Sequence, residues 1–156
     1  MVIMGDEEAI CFVGFLDKGV GPCKPGFTSV IEQAKKELEL YFLGQLSVFK
    51  VPLILKGTPF QKQVWSELQK IPFGETRSYA FIAAALGKPT AYRAVAQANR
   101  VNPISIIVPC HRVIYANGDL GGYAGGLSRK TWLLQNECKA DLHRTSFEGV
   151  ESKTFL

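Results

Sequence analysis

Histidine is scarce in this chain, with two among 156 residues, His111 and His143. The four cysteines, at positions 11, 23, 110 and 138, form no Cys-x-x-Cys pair. These shortages leave a zinc site without support, because such sites draw closely spaced Cys and His ligands from the sequence. No stretch approaches the roughly 18 continuous apolar residues of a membrane-spanning helix, so no membrane association is expected. The opening residues 1–8, Met-Val-Ile-Met-Gly-Asp-Glu-Glu, are acidic where a secretory signal is basic. A cytoplasmic location with reduced thiols and no disulfide framework follows as the expectation.

What is present is enough apolar content, 47% of the chain, to fill the core of one domain or a little more. The net charge of +4 is unevenly spread. Lys and Arg number six against seven Asp and Glu in residues 1–56, nine against four in residues 57–138, and three against three in residues 139–156. The basic excess therefore sits in the middle, as in a protein that meets a phosphate backbone, although ordinary domains show such an excess by chance as well.

Residues 9–16, including Cys11, are apolar and β-prone and predict a strand, followed by turn material over residues 17–22. Ser29 to Glu32 fits a capping box, and Ile31, Ala34, Leu38 and Tyr41/Phe42 recur at helical spacing up to Gly44. Residues 46–55 return to strand composition, with Pro52 suited to an edge. This strand–helix–strand unit carries no recognisable chemistry, and a boundary at residue 56 closes it. Beyond it Thr58 caps a helix with Pro59 in first position, and Phe60, Val64, Trp65, Leu68 and Ile71 form one apolar stripe that explains Trp65 as core. Thr76 or Ser78 caps a short helix through Leu86, Gly87-Lys88-Pro89 turns the chain, and Thr90 caps a helix from Ala91 to Arg100. The pair is a helix-turn-helix candidate. In its second helix Ala91, Ala94, Val95 and Ala98 make a packing face, while Arg93, Gln97 and Arg100 project from another, either as a solvated face or toward phosphates and a base stack.

After an Asn102-Pro103 turn, residues 106–114 read as a buried strand that delivers Cys110 to its end, with His111 and Arg112 beside it. A thiol reacts as the thiolate, which a base or a cation must favour. Neighbours in an extended segment point to opposite faces, so His111 reaches the sulfur only through a water or a turn. A buried structural cysteine beside a surface histidine fits the same two residues. Asn117-Gly118 signals a hairpin pairing residues 113–115 with the segment after Asp119 as a β-wing. Four glycines at 121, 122, 125 and 126 surround Tyr123, either as a flexible loop or as backbone that a ligand approaches closely. Ser128 to Glu137 predicts a last helix, and the polar tail from Lys139 is expected to be poorly ordered.

Taken together, residues 57–137 resemble the O6-alkylguanine-DNA alkyltransferases, or methylated-DNA–protein-cysteine methyltransferases. The resemblance is carried by Gly57-Thr58-Pro59-Phe60-Gln61, Val64-Trp65, residues 71–76, Ser78-Tyr79, Arg93-Ala94-Val95, Asn102-Pro103, residues 107–114, residues 122–127 and the helix from Lys130 to Glu137. It implies an α+β protein: a small ribonuclease H-like N-terminal α/β domain over residues 1–56, a winged helix-turn-helix-like DNA-binding and alkyl-acceptor domain over residues 57–138, and a tail over residues 139–156. Cys110 would attack the alkyl carbon on guanine O6 and keep the group as a thioether, consuming the protein. His111 would act as base through a water, oriented by Glu137; Asn102 would brace the turn, and Arg112 would be structural. The partner implied is double-stranded DNA containing O6-alkylguanine, bound through its minor groove by a monomer without cofactor or metal. The target nucleotide would be flipped out, with Arg93 filling its place, Tyr79 crowding the 3′ phosphate, and Ala94, Gln97 and Arg100 on the DNA-binding side. Tyr123, Val113 and Ala124 would line the base pocket.

Two positions depart from the family pattern. Ala96 stands where glycine is usual, which is expected to thicken the helix at the groove, and Ala124 stands where some members have serine, leaving alkyl preference and action on O4-alkylthymine open. Two rival functions also fit parts of the chain: a non-repairing reader of alkylated bases, which would lack the cysteine, and a cysteine hydrolase with Cys110, His111 and Asn102 as a triad.

Overall fold

The computed structural model of the chain describes residues 1–16 and 26–148. It is a mixed α/β protein with two small sheets and five α-helices among these residues. The turn expected at residues 17–22 and the last tail residues, 149–156, lie outside the described residues.

The first sheet is an antiparallel pair, β1 (Val2–Gly5) and β2 (Ile10–Gly14). β2 is the expected strand; β1 was not foreseen. The Asp6 carboxylate accepts the Glu8 and Ala9 N–H groups at 2.9 Å each, so the acidic opening closes a turn that pairs the two strands. Helix α1 (Ser29–Phe42) forms as expected, but its cap is Thr28, which accepts from Ile31 N at 3.2 Å and leaves Ser29 inside the first turn. Residues 46–55 are not a strand. They touch β2 through one bridge, Ile10 to Leu53, and the Glu37 carboxylate takes the Lys50 and Val51 N–H groups that a ladder would have used. Pro52 has no N–H to offer a further rung.

Helix α2 (Pro59–Leu68) carries the full capping box of Thr58 and Gln61 and buries Val64, Trp65 and Leu68. The Trp65 indole donates to Ala98 O at 2.8 Å, tying α2 to α4 (Tyr92–Arg100). Between them α3 (Tyr79–Ala85) is capped by Ser78 and ends before Gly87, whose φ of 69° takes the left-handed turn. Thr90 does not cap α4; Ala91 holds that position without a side-chain bond. The side chains of Ile10, Val13, Ala34, Leu38 and Tyr41 share one core with Trp65, Leu68, Ile104, Val108 and Leu133.

The predicted strand over residues 106–114 is absent. The run is apolar because it is buried, not because it is extended: Ile106 turns back with φ 75°, and Cys110–Arg112 form a single 3-10 turn. Only Val113–Ile114 is a strand, β4, and it pairs in parallel with β3 (Arg77–Ser78) rather than in the expected wing. Asn117-Gly118 does turn the chain, with Tyr115 N bonded to Asp119 O at 2.8 Å, but no ladder follows. Helix α5 (Leu127–Glu148) continues well past Glu137, so residues 139–148 are helical where low order was expected. No glycine or proline interrupts that stretch, and Ala140 and Asp141 come against the positive-φ glycines Gly44 and Gly74. Among the described residues no helix is long and apolar enough to cross a membrane.

Candidate active site

The end of α4 and the turn after it place Cys110. Asn102 spends its side chain on the backbone, donating to Val108 O at 2.9 Å and Ile104 O at 3.4 Å and accepting from Ile104 N at 3.0 Å. This folds residues 102–108 into a compact loop whose last bonded carbonyl, Val108 O, also accepts Cys110 N at 2.8 Å. Asn99, on α4 itself, donates to Cys110 O at 3.2 Å. Asn99 thus ties the sulfur-bearing residue to the helix, Asn102 holds the loop that leads to it, and Cys110 is buried.

The 3-10 turn sends His111 and Arg112 to the middle of α5. Both are buried, and so is Glu137, which they share. His111 Nε2 lies 2.7 Å from Glu137 Oε1; Arg112 Nε donates to Oε2 at 2.9 Å, and Arg112 Nη2 to Oε1 at 3.0 Å. The Gly74 amide and the Tyr41 hydroxyl complete the carboxylate's partners, at 3.1 and 2.6 Å. Burial alone would raise the Glu137 pKa, but the bonds and charges of His111 and Arg112 outweigh it and hold the group down to about 2. Burial lowers the pKa of His111, against the pull of Glu137. An ionised carboxylate only accepts, so Nε2 of the neutral imidazole carries the hydrogen and Nδ1 the lone pair. Nδ1 is buried and has no hydrogen-bond partner in the protein.

On the outer side of the molecule Arg93, Ala94, Gln97 and Arg100 are exposed along α4, while Val95, Ala98 and Asn99 face inward. Ala94 therefore belongs to the outer face and not to the packing face expected for it. Ala96 is half-buried and packs against the core.

Residues 59–139 match the profile of the family described as 6-O-methylguanine DNA methyltransferase, DNA binding domain. A methylated-DNA–protein-cysteine methyltransferase of Methanosarcina acetivorans is 49% identical over 142 residues, covering 88% of this chain and 90% of that protein. The chain belongs to the methylated-DNA–protein-cysteine methyltransferase family. The crystal structure of Mycobacterium tuberculosis OGT in complex with DNA is similar throughout, with a TM-score of 0.83 and 44% identity over 88% of this chain and 86% of that one. A methyltransferase of Mycobacterium tuberculosis is 54% identical over 140 residues, or 88% of this chain and 85% of that one.

In this methyltransferase Tyr79, Tyr123 and Lys130 lie near enough to the Cys110 thiol to interact with its charge. Burial pushes the Cys110 thiol up, against the Asn102 amide, the Lys130 charge and nearby backbone amides, so the resting group is the thiol. Val113 is buried at the start of β4, Tyr123 is half-buried, and Ala124 is exposed. The Tyr123 hydroxyl is buried without a hydrogen-bond partner; Ser105 is near enough to oppose its raised pKa but not in bonding geometry. Tyr79 is buried at the start of α3, its ring 5.5 Å from that of Tyr115. The glycine loop is shaped by the protein's own aromatics: a Cβ on Gly125 would meet the rings of Phe15 and Tyr123 at 2.6 Å, and one on Gly121 would meet the Tyr79 hydroxyl at 3.1 Å.

Three residues at the site, Tyr41, Asn99 and Lys130, carried no assigned role in the sequence, and a fourth, Arg112, does more than the structural role given it. Tyr41 arrives from α1, a unit that had shown no chemistry. Asn99 holds the nucleophile's carbonyl, and its periodicity marked it only as a residue of the second helix. Arg112, taken as structural, also fixes the charge of Glu137 and donates to Ile71 O at 2.7 Å. Lys130 is wholly buried, donates to Val113 O at 2.6 Å and to Leu120 O, and is lowered by burial to about 8. A lysine within a helical apolar stretch was the one available signal.

Proposed function

We propose that this protein repairs O6-alkylguanine in DNA by a single irreversible transfer of the alkyl group to Cys110. The observation that carries the proposal is the buried His111–Glu137 pair at 2.7 Å, with the free lone pair of His111 on the opposite nitrogen and Cys110 next in the chain. His111 Nδ1 takes the thiol proton, through a water, and becomes imidazolium beside an ionised Glu137. The thiolate electron pair forms the S–C bond while the C–O6 bond breaks and its pair stays on O6. The Tyr123 hydroxyl, whose pKa burial and Cys110 raise, remains protonated at neutral pH and donates to the departing O6.

A buried thiol cannot reach O6 within a duplex, so the nucleotide is rotated out of the stack. The helix-turn-helix of α3 and α4 enters the minor groove, with Arg93 occupying the vacated place and Arg100 and Gln97 along the strand. Tyr79, firmly packed, presses the 3′ phosphate. Protein and lesion meet as a monomer on DNA in the cytoplasm. The hydrolase triad has no support here, because Asn102 is committed to backbone groups and His111 pairs with Glu137.

The test is incubation with duplex DNA carrying isotopically labelled O6-methylguanine. Label on the peptide containing Cys110, and none with Cys110→Ala, is expected; removal of label from DNA by Cys110→Ala would sink the proposal.

A further inference from the structure

We propose that Tyr41 is a positioning residue for alkyl transfer: its hydroxyl, brought in by α1, fixes the Glu137 carboxylate that orients His111. The inference rests on the reading of Cys110 as acceptor and His111 as its base.

The geometry singles out the hydroxyl rather than the ring. The Tyr41 ring is fully buried among Phe42, Phe49 and Phe73, with centroids 5.6, 5.5 and 5.9 Å away, contacts that phenylalanine would make equally well. Its hydroxyl has one hydrogen, and Glu137 Oε1 takes it at 2.6 Å. The same hydroxyl oxygen lies 3.3 Å from His111 Nε2, where it can only accept. Tyr41 therefore agrees with the tautomer that leaves Nδ1 free, and it binds the same carboxylate oxygen as His111 does.

Every other group around the pair is accounted for. Arg112 from the 3-10 turn binds both carboxylate oxygens, the Gly74 amide binds Oε2, and Lys130 on α5 adds a positive charge that opposes protonation of His111. Among the described residues Tyr41 is the single hydrogen-bond partner of Glu137 from outside residues 59–139, the stretch that matches the family's DNA binding domain. The N-terminal half thus reaches the Glu137 carboxylate through the Tyr41 hydroxyl.

Removing the hydroxyl has two consequences of known sign. Oε1 keeps more of its negative charge for His111, which makes the imidazole easier to protonate, and the carboxylate loses one of the donors that fix its rotamer. A hydrogen bond of this kind is worth on the order of tenfold in rate when it matters only to the geometry of the base.

The experiment compares wild type and Tyr41→Phe in single-turnover transfer from O6-methylguanine duplex and from free O6-benzylguanine across pH. The expected result is a slowing on the order of tenfold on both substrates, with the acid limb of the rate profile moved to higher pH and DNA affinity unchanged. Unchanged rates, slowing without movement of the acid limb, or slowing confined to the duplex overturns the inference. Should Tyr41→Phe fail to fold, nuclear magnetic resonance of the wild type decides. A slowly exchanging Tyr41 hydroxyl proton with a cross-peak to the His111 ring supports the inference, and its absence overturns it. Absence of any alkyl on Cys110 of the wild type would instead sink the functional reading on which the inference stands.

Discussion

Replacing Glu137 by glutamine removes a charge from the centre of the site while keeping its shape, and the consequences can be worked from its partners. At neutral pH the variant leaves Arg112 buried with no ion-pair partner, and breaking a buried pair in this way costs about 3–5 kcal/mol. The cost must depend on pH. Glu137 is held down to about 2 from an ordinary value of 4.5, so its carboxylate stabilises the fold fully above pH 4.5, and that contribution fades as pH falls toward 2. The interval corresponds to about 3 kcal/mol. Urea melts of wild type and Glu137→Gln at pH 7, 5, 4 and 3 should therefore show a large gap at pH 7 that narrows below pH 4.5. A gap that stays constant down to pH 3 would refute the view that an ionised Glu137 holds this cluster together.

Four further outcomes are expected. His111 is buried and neutral, with its pKa lowered from 6.5; the unfolded chain therefore takes up a proton that the folded one refuses, and wild-type stability should begin to fall below pH 6.5, a decline that His111→Asn should remove in urea melts. Arg93→Ala should slow repair of duplex DNA far more than reaction with free O6-benzylguanine, since only the duplex needs a flipped nucleotide; equal losses would exclude that role. Asn102→Ala leaves the Val108 and Ile104 carbonyls without their donor and should lower stability by about 1–3 kcal/mol, read from a denaturant midpoint, together with a loss of transfer rate. Thr58→Ala removes the exposed capping box of α2 and should cost about 1 kcal/mol of stability while leaving the transfer rate unchanged.

The helices were legible because their signals are local. The Thr58-Pro59 start and the Phe60 to Ile71 stripe fix α2 within the sequence, and Ser78 and Gly87 bracket α3. The strands were not, because apolar β-branched runs mark burial as much as extension. Residues 106–114 are buried yet folded back on themselves by Asn102, whose bonds to its own loop no periodicity reveals. Residues 46–55 lost their ladder to Glu37, a helix side chain some dozen residues away in sequence. β1 escaped notice since an acidic turn of Asp6 to Ala9 reads as polar surface until its carboxylate is seen holding amides. At the site, the cluster of Cys110, His111, Glu137 and Asn102 could be named from motifs alone. Arg112 and Tyr41 could not be given their bonds, because their meeting point at Glu137 is a product of three elements that the sequence keeps far apart.

The most direct measurement is a titration of the protein with excess duplex DNA containing O6-methylguanine, counting methyl groups removed per protein molecule. Removal should stop at one per molecule, with the same methyl group found on Cys110. Continued removal beyond that count, with Cys110 unmodified, would contradict the single-use transfer on which everything above depends.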